Sequence, residues 1–224
     1  MPSLHVRPFL FAGPTLSRAR AIAPLDLEPY ILEPPAERGT IAAMAARHPA
    51  GCAILVDGLF HESLAVGHAE LRDAIRSGWQ IWGLSSMGAI RAREMHPLGM
   101  RGFGRVFERY CQDDDFRDDE VALLHAPEPP YRELSEPLVH VRAALAAAVA
   151  DARLSSDEHV AILGQLTACW YGERTLARVR DAVVASCPSS PAWVNAWLAS
   201  FDAYRWKALD LIDFVAARPW ATAG

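Results

Sequence analysis

Along the first hundred residues, short apolar runs alternate with longer stretches of helical spacing. His5–Ala12 reads as a strand ending at Gly13-Pro14, Ala53–Val56 as a second ending at Asp57-Gly58, and Ile81–Leu84 as a third ending at Ser85-Ser86. Continuous apolar runs bounded by turn residues suit strands buried on both faces of a parallel sheet. Between them, Ile41–Arg47 and Ser63–Ser77 carry helical spacing, with Leu64, Leu71 and Ile75 on or near one face of the latter. Strand alternating with helix predicts an α/β fold, here an N-terminal, mostly parallel sheet with flanking helices.

The pattern changes after the connector Pro127–Pro130, and every long segment beyond it reads as helical. Val139–Arg153 is Ala-rich, with Pro137 near its start. Ser155 and Glu158 spell a capping box ahead of Val160, Leu163 and Leu166, with Gly172 as the stop. Thr175–Ser186 predicts another helix, and Ser190-Pro191 opens one over Ala192–Ala217. On that last helix Trp193, Trp197, Phe201, Tyr204, Leu211 and Val215 recur as one broad face, which reads as core packing, with a partner-docking face as the alternative. The expected organisation is an α/β core over residues 1–130 and an all-helical C-terminal subdomain over 131–224, with the two packed as one unit left open.

Composition narrows the function class. The 224 residues are 51% hydrophobic and carry a formal net charge of −5, which argues against a general nucleic-acid binder. A domain of this length needs no disulfide or metal staple. Cys52, Cys111, Cys169 and Cys187 are scattered, without C-x-x-C or zinc-type spacing, and read as reduced and mostly buried in a cytoplasmic protein. No run approaches the ~20 apolar residues that would span a bilayer, so no membrane is expected. Lys207 is the sole lysine and hence the sole candidate for Schiff-base chemistry. Neither a metal nor a cofactor is expected: His68, Glu70 and Glu62 are poorly spaced as ligands, and Gly99–Gly104 lacks a nucleotide-binding pattern and reads as a tight loop. The acidic stretch Asp113–Asp115 with Asp118–Glu120 reads as a solvated loop, with Asp118 and Asp119 able to cap a helix from Val121.

Ligands of parallel α/β sheets bind beyond the carboxyl ends of the strands. Three segments are expected to meet there: Gly13–Leu16, Asp57–His61 and Gly83–Ala89. In the third, a strand feeds Ser85-Ser86-Met87-Gly88-Ala89 and then a helix-like run, placing a hydroxyl beside free N–H groups at a helix start. Ser86 is the candidate nucleophile, with Ser85 as the alternative, and either serine could instead only cap the helix. Backbone donors near Met87 and Gly88 would hold an oxyanion. Asp57, an acid after a buried strand, could orient a base, hold a cation or satisfy loop N–H groups. His61 is a candidate base. Glu94 and Arg91, one helical turn apart, could face the site or pair on the surface. Gly13 and Thr15 are candidates for substrate contact. The Ser86–Ala89 tetrapeptide also resembles the nucleophile turn of Clp-type serine proteases.

Taken together, Phe11–Leu16, Pro34–Gly39, Asp57–His61, Gly83–Glu94, Gly99–Gly104 and Asp118–Ala122 resemble the TfuA-like family, over roughly residues 8–145. Thr40 stands where the family pattern has an aspartate, and Ile90 replaces a leucine. The resemblance implies work beside a YcaO-type enzyme that thioamidates the backbone of a ribosomally made peptide or another protein. It further implies sulfide release by hydrolysis of a thiocarboxylated ThiS-type sulfur carrier. The implied partners are the YcaO enzyme and the carrier, with a homo-oligomer left open. The alternative is a non-catalytic adaptor that docks both.

Overall fold

The computed structural model describes residues 7–58, 64–113, 115–187 and 191–222. The chain forms two compact units, one comprising Met1–Phe116 and Lys207–Gly224, the other Arg117–Trp206.

The first unit is built on a parallel five-stranded sheet: β1 (Phe9–Phe11), β2 (Ile31–Glu33), β3 (Cys52–Leu55), β4 (Gln80–Leu84) and β5 (Arg101–Phe103), in the order β2-β1-β3-β4-β5. The expected parallel α/β architecture is therefore present, and the order is that of a doubly wound sheet whose chain direction switches between β1 and β3. Alternation along the strands divides two cores. Phe9, Phe11, Ala53, Leu55 and Ile81 face α2 (Thr40–Arg47), α3 (His68–Arg76) and α4 (Met87–Met95), which bury Ile41, Met44, Leu71, Ala92 and Met95 against them. Leu10, Ile54, Val56, Trp82 and Leu84 face the other way, toward Leu16 and Ala19 of α1 (Pro14–Ile22) and Leu211, Phe214 and Val215 of α10 (Trp206–Ala217).

Several sequence expectations need correction. The helix expected over Ser63–Ser77 begins only at His68; the described residues before it are not helical, with Leu64 O accepting from Arg38 N, and Leu64 itself is 63% exposed. Ser63 lies outside the described residues. Gly99–Gly104 is more than a loop: Gly99 and Gly104 have positive φ at its two ends, and Arg101–Phe103 between them form edge strand β5. Helix α5 (Gly104–Gln112) follows directly.

The second unit is helical, as expected. It holds α6 (Leu138–Ala150), α7 (Ser156–Ala168), α8 (Leu176–Ser186) and α9 (Pro191–Ala199) around one apolar core that includes Val141, Leu145, Ile162, Leu166, Val183 and Trp197. The capping box at α7 forms: Ser155 Oγ accepts from Glu158 N, and the Glu158 carboxylate accepts from Ser155 N. Gly172 does not end α7, which stops at Ala168, four residues earlier. Asp118–Glu120 is a single 3₁₀ turn with no helix after it. Rather than a solvated run, it supplies partners, because Asp119 pairs with the buried Arg174 and the buried Glu120 with Arg142. The single helix expected over Ala192–Ala217 is broken. Ser200 Oγ donates to Trp197 O in competition with the helical ladder, and a 3₁₀ turn over Phe201–Tyr204 separates α9 from α10. The aromatic stripe is divided accordingly: Trp193, Trp197, Phe201 and Tyr204 pack in the second unit, and Leu211 and Val215 on the sheet of the first.

Candidate functional site

The carboxyl ends of β1, β3 and β4 lie side by side, as their motifs predict, and what joins the first two is Asp57. Its buried carboxylate lies just past β3 at the switch between β1 and β3. Oδ2 accepts from Gly13 N at 2.8 Å and Thr15 N at 3.0 Å, and Oδ1 accepts from Thr15 Oγ1 at 2.6 Å. These are the orphan donors at the start of α1, whose own N-cap, Gly13, has no side chain to offer. Asp57 therefore caps α1 from another strand. Three of the roughly four acceptor positions of its carboxylate are taken. Gly13 and Thr15 are thus partners of Asp57, and Thr15 is fully buried.

Helix α4 is drawn unusually close to the sheet. A Cβ at Gly88 would lie 1.9 Å from Leu55 O, and one at Gly83 2.1 Å from Gly88 O, so both positions require glycine. Gly88 N donates to Val56 O at 3.2 Å, which engages one of the two donors expected for an oxyanion. Met87 packs against Gly58, where a Cβ would meet Met87 Cγ at 2.8 Å.

The turn between β4 and α4 is strained. Ser86 N donates to Leu84 O at 2.8 Å, an i to i+2 bond, and Ser85 between them has φ +66°. That is a γ-turn of the rarer, strained hand. Side chains seldom adopt such a φ, and non-glycine residues held there cluster at functional sites. The two serines then diverge. Ser85 is fully buried, and its Oγ donates to Lys207 O at 2.8 Å. Ser86 occupies the N-cap position of α4 without a side-chain capping bond, and 3% of its surface is exposed.

Arg91 and Glu94 are engaged on the flank of α4. Arg91 Nε donates to Val66 O, and its guanidinium pairs with Glu94, which also contacts His68 Nε2 at 2.8 Å. Glu94 is eight residues beyond Ser86, about 12 Å along the helix axis. His61 and Glu62 lie outside the described residues. Of the cysteines, only Cys52 and Cys187 are buried, while Cys111 is exposed and Cys169 half-exposed; none of the four forms a disulfide. Burial pushes the Cys52 thiol up to about 12 against the pull of Arg101, which leaves it inert as a nucleophile.

Two carboxylates matter here that sequence reasoning passed over. Glu70 accepts from Gly67 N at the start of α3 and from Gly39, Ile41 and Ala42 N at the start of α2, so one side chain fixes two helix starts behind the Arg38-Gly39 motif. Asp210 on α10 does the same for α5, accepting from Arg105 N and Val106 N at 3.0 Å each. The capping-box spacing of Gly67 and Glu70 was a partial signal; Asp210, a hundred residues from its partners, left none. Thr40 Oγ1 accepts from Glu37 N, a local turn bond.

The profile of the TfuA-like protein family matches residues 57–175, more than half of the chain. The chain belongs to the TfuA-like family. The match opens on Asp57 and spans the serine turn, whereas the Gly13–Thr15 contacts of Asp57 precede it. Membership supports a role in the YcaO-associated thioamidation system. No curated protein matches the chain. Among the described residues, no helix is long and apolar enough to cross a membrane.

Proposed function

We propose that this TfuA-like protein releases sulfide for a YcaO enzyme by hydrolysing the C-terminal thiocarboxylate of a ThiS-type carrier. The observation that carries the reading is the strained γ-turn at Ser85, which ends β4 and leads the Ser86 hydroxyl, unused as a cap, to the start of α4. A sharp strand-to-helix turn with a serine at the carboxyl edge of a parallel sheet is the geometry that presents a nucleophile beside helix-start donors.

In this reading Ser86 Oγ attacks the thiocarboxylate carbon, the C–S bond breaks, and hydrosulfide leaves with the serine proton. Water then cleaves the ester, returning the serine hydroxyl and leaving the carrier as a carboxylate with one proton released. Ser85 holds the turn. Asp57 orders the adjoining β1–α1 loop, and His61 is the candidate proton carrier.

The adaptor reading draws on a different observation. Asp57, Gly88 N and Arg91 are each committed to internal partners. A docking surface tolerates that, whereas a catalytic site must find its donors elsewhere. Incubating the purified chain alone with thiocarboxylated carrier separates the two. Sulfide released in proportion to the protein, over many turnovers, supports hydrolysis. A stable complex without sulfide supports the adaptor.

A further inference from the structure

We infer that Asp210 is a positioning residue for the serine turn, acting through the first turns of α10. The inference rests on the proposed role of that turn.

The geometry is a double tether. Strand register pairs Leu84 with Phe103, so the turns that leave β4 and β5 lie side by side at the carboxyl edge. Helix α10 is fastened to both. Lys207 O takes the Ser85 hydroxyl, and Asp210, three residues later and hence on the same helix face, takes the first amides of α5. The Arg105 guanidinium adds a bond to Asp210 Oδ1 at 3.0 Å and bridges to Asp213. The fit leaves no slack: Gly104 has φ +91°, and a Cβ there would stand 2.4 Å from Asp210 Cγ. Below the tethers, Phe214 meets the rings of Trp82 and Phe103 edge-on at centroid separations of 5.6 and 5.2 Å, which seats the helix on β4 and β5.

The carbonyl that accepts from Ser85 belongs to a helix that Asp210 locks in place. Without the Asp210 bonds α10 can shift by a fraction of an ångström, and the residue that responds is the one held at a strained φ. Displacements on that scale at a reacting group are costly, with about 100-fold for 1 Å as a guide.

The test compares Asp210→Ala, Asp210→Asn and the neighbouring control Asp213→Asn. Amide hydrogen exchange at residues 85–90 is one readout, and kcat and KM for sulfide release from thiocarboxylated carrier are the other. Asp210→Ala is expected to speed exchange at 85–90 and at the start of α5 about tenfold beyond the rest of the sheet. It is also expected to lower kcat about tenfold or more with KM little changed. Asn keeps an acceptor for one of the two amides but sets an NH2 against the other, so it is expected to restore both readouts in part, between Asp210→Ala and wild type, and Asp213→Asn to change neither. Faster exchange confined to α5, or spread evenly over the whole unit, overturns the inference, as does a change in KM alone. Should Asp210→Ala fail to fold, Gly104→Ala strains the same contact from the other side and is read identically. If the wild-type chain releases no sulfide, the proposed function fails, and the exchange pattern alone decides whether Asp210 governs the turn.

Discussion

The Ser85 hydroxyl donates to the carbonyl oxygen of Lys207, 122 residues further along the chain. In the proposed reaction this bond divides the tasks of the adjacent serines, with Ser85 holding the turn and Ser86 reacting. Ser86→Ala is therefore expected to lower sulfide release by at least about 100-fold while leaving the midpoint of thermal unfolding within a degree or two. Ser85→Ala is expected to lower the unfolding free energy by about 1 kcal/mol and to reduce release only partly. Equal activity loss in the two variants, or full activity in Ser86→Ala, removes the assignment.

Asp57 offers a separate test, because its carboxylate is buried and bound by Gly13 and Thr15. Asp57→Ala leaves the N–H groups of Gly13 and Thr15 without an acceptor and is expected to cost about 3 kcal/mol in denaturant unfolding. Thr15→Val removes one bond and is expected to cost about 1–2 kcal/mol. Because they act on the same carboxylate, the double variant should fall short of the sum. Full additivity would mean that the Thr15 hydroxyl and the Asp57 carboxylate are not coupled.

Much of this edge was legible in the sequence. The apolar runs ending in Gly13-Pro14, Asp57-Gly58 and Ser85-Ser86 marked three of the five strands and the loops that converge beyond them, because strands buried on both faces read as short continuous apolar runs closed by turn residues. The two missed strands, β2 and β5, are the edge strands; each has three residues, and their mixed exposure leaves no such run. The return of α10 to the sheet was hidden for another reason. Its apolar positions continue the aromatic stripe of α9 in phase, and only the turn at Ser200–Arg205 sends them to a different core. The roles of Asp210 and Lys207 O were illegible because both depend on where that helix lands.

Two glycines make opposite predictions from the same substitution. Gly88→Ala drives a Cβ toward Leu55 O at 1.9 Å, backbone against backbone, so α4 must lift from the sheet. A loss of about 3 kcal/mol or more is expected, together with the loss of activity that a displaced serine turn entails. Gly164 sits inside α7 with nothing within 4 Å of its added Cβ. Gly164→Ala should therefore stabilise the second unit by about 0.5–1 kcal/mol through helix propensity alone. Denaturant midpoints of the two variants on either side of wild type are the expected result, and a destabilised Gly164→Ala would contradict the placement of α7.

Acidification should act on the two units with opposite sign. In the second unit, burial pushes the Glu136 carboxyl up, but His140 and Arg205 outweigh burial and bring it down to about 2. A folded value below the unfolded one stabilises the unit above about pH 4.5, and that contribution fades as pH falls toward 2. In the first unit, burial raises Asp210 to about 6 against the pull of the Val106 and Arg105 amides and the Arg105 side chain. The groups around it are Arg105, Glu108 and Asp213, which line the same open cavity of about 410 Å³. Here the stabilising form is the protonated one. Its contribution is complete below about pH 3.8 and is lost as pH rises through about 6. Glu136→Gln should cost roughly 3 kcal/mol at neutral pH by removing the carboxylate charge that buried Arg205 and His140 share, and should flatten the acid limb below pH 4.5. Asp210→Asn should flatten the profile between about pH 4 and 6 instead and leave the acid limb intact. Unfolding free energies measured from pH 2.5 to 8, with amide exchange to report each unit separately, test both slopes. An Asp210→Asn profile parallel to wild type across pH 4–6 would show that the carboxylate is already ionised there, and that its helix-start bonds outweigh burial.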